Sequence, residues 1–170
     1  MIKKIFFNQT LQFFLKGDFN QHNGSCIGEN EVDCFPNSYN ENNTKIQQIW
    51  WDKTDIDYEN IGNILAIDVR SISAILQPPG NIVTMHKDSF FKFNQLYPND
   101  TRLKVRANIY LEDWKPGHFL NYQDENYVWQ TSTHWKAGEG FLWDSNNYHL
   151  SANAGLVPKY TLQISGFLKD

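Results

Sequence analysis

A mainly β fold, arranged as a double-sheet jelly roll, is what this 170-residue sequence predicts. Three observations carry that expectation. Short β-branched, aromatic and apolar runs recur between residues 64 and 168, many of them alternating with polar residues, the pattern of half-buried strands. The breaks between them, Pro78-Pro79-Gly80, Pro116-Gly117, Gly138-Glu139-Gly140, Asn146-Asn147 and Gly155, carry residues that preset or tolerate turn dihedrals. Aromatic residues make up 15% of the chain, a content suited to pleated surfaces.

Residues 1–62 read as support for this core. The stretch 18–44 is polar and turn-rich, so long loops are expected there, with His22 among them. Thr44 can cap a short helix in which Ile46, Ile49 and Trp50 recur at helical spacing. Such a helix would pack on the outside of a sheet. Strands follow at 64–69 (ILAIDV), 73–77 (SAILQ), 81–86 (NIVTMH), 103–111 (LKVRANIYL), 118–122 (HFLNY), 140–144 (GFLWD), 148–153 (YHLSAN) and 159–168 (KYTLQISGFL). Only 88–97 (DSFFKFNQLY) breaks the rhythm, and it reads as a helical or irregular lid. No repeat or linker divides the chain, so one domain over 1–170 is expected. Strands in this number suit a jelly roll, the cupin architecture among them.

Composition narrows the function classes. Net charge is -4 and Lys and Arg are dispersed, which leaves no footprint for nucleic acid or an anionic membrane. Asn8, Gln9, Thr10 and Gln12 interrupt any leader-like apolar run. No apolar stretch is long enough to span a bilayer, and a cytoplasmic location is expected. Cys26 and Cys34 read as free thiols, because a disulfide needs an oxidising compartment. Trp114, Trp129, Trp135 and Trp143 read as core or loop anchors. His118 and His134 read as structural or substrate-side.

The residues that carry chemistry begin with His86 and Asp88 in TMHKDSF. In a strand, residues two apart share a face, so Thr84, His86 and Asp88 point together. His149, on a predicted strand, is the candidate third ligand. Two His and one carboxylate form the facial set that suits non-haem Fe(II), although zinc binds the same groups. Spacing alone also allows structural strand histidines. On the last strand Lys159, Thr161 and Gln163 share one face, which suits either a half-solvated sheet or a bound dicarboxylate. Arg106, Asn108 and Tyr110 likewise share a face, lining a cavity or meeting solvent.

The ordered set His86-Lys87-Asp88, His149 and Lys159-Tyr160-Thr161 resembles the Fe(II)/2-oxoglutarate-dependent dioxygenases. LQPPGNIVTMHKD, VRANIYLEDWKPGHFL and WKAGEGFLWDSNNYHLSANAGLVPKYTLQISG are similar to small members related to prolyl 4-hydroxylases and aspartyl hydroxylases, phage-encoded ones included. A phage origin would make the location the host cytoplasm. The resemblance covers about 64–168 and implies a double-stranded β-helix, the cupin-like jelly roll. It implies His86, Asp88 and His149 as iron ligands, and Lys159, helped by Thr161, as the partner of the distal carboxylate of 2-oxoglutarate. Asn108 or Tyr110 would also contact this cosubstrate, and Arg106 the cosubstrate or the substrate. Lys replaces the Arg many relatives use, as in prolyl 4-hydroxylases. The implied activity is hydroxylation of a protein or peptide side chain, prolyl by analogy. The same strands also suit a jelly-roll binding or structural module, or a cupin-type metalloenzyme that does not use 2-oxoglutarate.

Overall fold

The last strand, β11 (Lys159–Leu168), divides its side chains between two environments. Leu162 and Ile164 lie in an apolar cluster with Ile67, Ile72, Ala74, Val105, Ala107 and Ile109. On the opposite face Lys159, Thr161 and Ser165 are buried and polar. Strand alternation therefore separates an apolar core from a polar interior.

The computed structural model describes residues 1–19, 22–25, 40 and 42–169. Cys26 and Cys34 lie outside the described residues. Besides β11, the chain forms β1 (Ile2–Phe6), α1 (Gln12–Leu15), β2 (His22–Ser25), β3 (Lys45–Trp51), α2 (Tyr58–Leu65), β4 (Ile67–Gln77) and β5 (Ile82–His86). Then come α3 (Phe91–Leu96), β6 (Lys104–Tyr110), β7 (His118–Gln123), β8 (Trp129–Ser132), β9 (Glu139–Asp144) and β10 (His149–Asn153). A seven-stranded sheet runs β1-β9-β6-β11-β4-β3-β2, and a four-stranded sheet runs β5-β10-β7-β8. Their pairings are antiparallel. The sheets face each other as a jelly roll, and the polar side of β11 looks inward.

The outer face of the large sheet is closed by α1 and α2, through Phe14, Ile61 and Leu65. Asp57 caps α2 by accepting the amide of Asn60 at 3.0 Å, satisfying a helix-end donor. Gly62 lets α2 approach the sheet, since a Cβ there would sit 2.4 Å from the carbonyl oxygen of Ile67.

The strands expected from 103 onward appear within a residue or two of their predicted bounds. The N-terminal third differs. Residues 45–51 form β3 rather than a helix: Ile49 and Trp51 face the outer core, while Gln48 turns inward and donates to Ser73 at 3.0 Å. The helical spacing of Ile46, Ile49 and Trp50 was a coincidence, overridden by pairing with β4. His22 lies in β2, not a loop. Ile64 and Leu65 end α2, and the two strands expected at 64–69 and 73–77 are one, β4. The segment 88–97 contains α3, whose Phe93 packs with Phe90 and Phe167. It is helical, as expected, and anchored to the large sheet through Phe167 of β11.

Candidate metal and cosubstrate site

β5 and β10 are neighbours in the small sheet, with His149 opposite His86. That register, together with the chain just past β5, brings His86, Asp88 and His149 together. One potential ligand atom from each lies within 4.8 Å of the others. Among the described residues this is the only such group of three His, Cys, Asp or Glu side chains.

The histidines are oriented for coordination. His86 Nδ1 lies 2.7 Å from the carbonyl oxygen of Thr84, and His149 Nδ1 lies 3.1 Å from that of Asn147. A carbonyl only accepts, so each Nδ1 carries the proton and each Nε2 keeps its lone pair. This tautomer suits a metal ligand held by an outer hydrogen bond. Burial, reinforced by His86, pushes the His149 imidazole down to about 4 against the opposing pull of Asp88, which keeps the ring neutral.

Asp88 is buried, and burial alone would raise its pKa. The Arg106 guanidinium, the two imidazoles and the Trp143 hydrogen bond outweigh that effect and hold the carboxyl below its usual range. Trp143 Nε1 donates to Oδ2 at 2.7 Å. Oδ1 faces His86 Nε2 at 3.8 Å and accepts from Arg106 Nη1. The carboxylate is thus ionised and fixed in direction before any cation arrives. A neutral N, a neutral N and an O⁻ fit a divalent transition metal.

Deeper in the same interior is Lys159. Its Nζ donates to the carbonyl oxygen of Phe119 at 2.8 Å and to Ser151 Oγ at 2.6 Å, and lies 5.4 Å from the centre of the Trp135 ring. No carboxylate pairs with it among the described residues, and burial lowers its pKa to about 7. A buried lysine with only neutral partners is costly unless an anion completes it. Tyr110 stacks on Trp135 at 3.7 Å between ring centres, with its hydroxyl 3.4 Å from Ser132 Oγ. Asn108 and Asn121 each hold a buried side-chain oxygen with no hydrogen-bond partner. Thr161 pairs in register with Tyr110 and is buried. Beside Tyr110 and Trp135 the interior meets a hollow of about 480 Å³, also lined by Ser132, Thr133 and Phe141. A second hollow of about 530 Å³, lined by Lys53, Tyr58, Ile67 and Lys169, sits by α2, away from the triad.

The arrangement has two ends: a nitrogen-and-oxygen ligand set at β5 and β10, and a buried cation at the start of β11. Arg106 belongs to the first end, Tyr110 to the second, and Asn108 stands between them on β6. Jelly-roll proteins with known structures share the fold. A prolyl-4-hydroxylase from Pseudomonas putida superposes with a TM-score of 0.58 at 19% identity, over 99% of this chain and 92% of its own. The non-heme α-ketoglutarate-dependent epimerase SnoN of nogalamycin biosynthesis gives 0.54 at 11%, over 72% of this chain and 62% of its own. A 2OG-Fe(II) oxygenase-family oxidoreductase from Burkholderia pseudomallei gives 0.51 at 9%, over 74% and 67%. No family model and no curated protein matches the sequence. At these identities the likeness is one of fold: the cupin-type jelly roll, or double-stranded β-helix.

Three contributors escaped the sequence reading. Trp143 was expected as an anchor, yet it also orients Asp88. Ser151 holds Lys159, and its position two residues after His149 was a usable signal. Trp135 forms one wall beside Lys159, which loop sequence does not reveal. His118 is structural, with Nε2 3.1 Å from the carbonyl oxygen of Val157. His134 is exposed and stacks on Trp114 at 4.1 Å.

Proposed function

We propose that the chain is an Fe(II)- and 2-oxoglutarate-dependent hydroxylase acting in the cytoplasm on a protein or peptide side chain. Prolyl is the class named for the Pseudomonas putida neighbour. The observation that carries the reading is the pairing of a pre-oriented His-Asp-His set with a buried lysine that lacks an anionic partner. His86 Nε2, Asp88 Oδ1 and His149 Nε2 would hold the metal. Lys159, with Thr161 and Tyr110 beside it, would hold the far carboxylate of 2-oxoglutarate.

When bound, the pair would couple O₂-dependent decarboxylation of 2-oxoglutarate, giving succinate and CO₂, to hydroxylation of a substrate C–H bond. The protein's part is geometric and electrostatic. Thr84 and Asn147 carbonyls fix the imidazole tautomers, and Trp143 fixes the carboxylate. The Tyr110–Trp135 stack and Leu120 wall the interior against water.

Anaerobic addition of Fe(II) and then 2-oxoglutarate, followed by visible absorbance, tests the reading. A weak band requiring both additions is expected. His149→Ala and Asp88→Ala should lose the band and all 2-oxoglutarate-dependent succinate. Lys159→Met should keep metal affinity while weakening 2-oxoglutarate binding by on the order of 100-fold, the loss of a buried charge-assisted contact. Undiminished turnover in either triad variant would sink the site assignment. Metal binding with no response to 2-oxoglutarate would favour a cupin-type metalloenzyme, and no metal binding a jelly-roll binding module.

A further inference from the structure

We propose that Arg106 binds a carboxylate of the substrate once a divalent cation occupies the triad, so that the hydroxylated molecule is an acidic peptide segment. The proposal rests on the metal reading of the triad given above. It begins with the two oxygens of Asp88. Oδ2 is taken by the buried Trp143 indole at 2.7 Å. Oδ1 is both the oxygen that faces His86 Nε2 and the acceptor for Arg106 Nη1. A cation bound by His86, His149 and Asp88 therefore draws on the lone pairs that Arg106 now holds. A cation and a guanidinium on that one oxygen repel each other in so dry a site, which weakens the Arg106 hydrogen bond.

Arg106 is built to survive the loss. Nε donates to Ser165 Oγ at 3.0 Å, and the guanidinium lies 5.4 Å from the Phe90 ring. These contacts anchor the base of the group while its Nη end is released. No other carboxylate pairs with Arg106 among the described residues, and its side chain is 24% exposed, so an outside anion can reach it. Guanidinium offers the planar two-donor fork that matches a carboxylate. Charge balance points the same way. A divalent metal with Asp88, and a dianionic cosubstrate with a protonated Lys159, together sum to neutral. The charge of Arg106 is left over.

The test uses the whole chain and the Arg106→Gln and Arg106→Lys variants, with circular dichroism to check that each folds. Titration with Mn(II) alone comes first. Arg106→Gln should bind Mn(II) roughly tenfold tighter than the parent, because a competing charge is gone. Equal or weaker binding overturns the proposal. Second, the Mn(II)- and 2-oxoglutarate-loaded protein is titrated anaerobically with blocked peptides containing Asp or Glu, and with matched peptides containing Asn or Gln. The parent should prefer the acidic set by roughly tenfold or more, Arg106→Lys should keep part of that preference, and Arg106→Gln should lose it. Binding of neither set, or of both alike, overturns the proposal. If the parent and Arg106→Gln both fail to bind Mn(II), the metal reading itself has failed.

Discussion

At Lys159 an ammonium is held by two neutral oxygens inside the molecule, and burial brings its pKa from the ordinary 10.5 to about 7. Between those values the unfolded chain keeps the proton and the folded chain releases it. Stability therefore rises with pH from about 7 to 10.5, and the full penalty is present below 7. At roughly 1.4 kcal/mol per pKa unit the penalty is on the order of a few kcal/mol. Without 2-oxoglutarate, Lys159→Met should be more stable than the parent at pH 6, with the gap closing toward pH 10. Urea unfolding across that range checks it, and a Met variant less stable at pH 6 would contradict it. His86 and Asp88 were legible as neighbours because alternation puts residues two apart on one face. His149 and Lys159 were tied to them only through the family resemblance, since the β5–β10 pairing that brings His149 to His86 leaves no local pattern. Arg106 was legible only as a member of a face. Whether it met solvent, the cosubstrate or Asp88 depended on how the segment after β5 folds against β6. The left-handed turn at Phe90, φ 49°, lies in that segment, and no sequence pattern announces it in a non-glycine residue.

β11 shows how one irregular position serves the site. Its ladder with β4 shifts register between Ser165 and Gly166, a bulge of the kind that re-aims side chains. Before the shift Ser165 faces inward and accepts from Arg106 Nε; after it Phe167 packs under α3. Gly166 permits the close approach, since a Cβ there would lie 2.2 Å from the Asp68 carbonyl oxygen. Gly166→Ala should cost about 1–3 kcal/mol, the usual penalty for overpacking. It should also weaken the Ser165–Arg106 contact. Urea unfolding measures the first effect, and a loss under about 0.5 kcal/mol, the level of an inert surface change, would show that the bulge relaxes freely. The strands from 103 onward were readable because apolar runs and turn residues agreed. β3 was not, because Ile46, Ile49 and Trp50 fit a helical period while their partners on β4 lay too far along the chain to be seen locally. β1 and β8 were missed for a related reason. Both are sheet edges with largely exposed side chains, so neither carries the alternation that a half-buried strand must show.

Across the whole molecule the two faces of the large sheet are held in different ways. The outer face packs a continuous apolar cluster under α1 and α2. The inner face meets the small sheet through one aromatic group around Tyr110, Trp135 and Trp143 and through polar side chains that include Lys159, Asp88 and His149. Ligands bound there would join the sheets, because the triad residues come from the small sheet and its extension while Lys159 comes from the large one. Binding to the folded state alone stabilises it by about 2.7 kcal/mol at 100 times the dissociation constant. For a chain of this size that corresponds to a melting shift of roughly 5–10 °C. Mn(II) with 2-oxoglutarate should therefore raise the melting temperature more than either added singly, and Lys159→Met should lose most of the joint gain. Hydrogen exchange should place the new protection in β5 and β10, which carry His86, His149 and the Ser151 partner of Lys159, and leave the amides under α2 unchanged. Protection spread evenly over both layers would mean that the ligands stabilise the molecule without joining its sheets. No added protection in β10 would mean that they bind somewhere other than this interior.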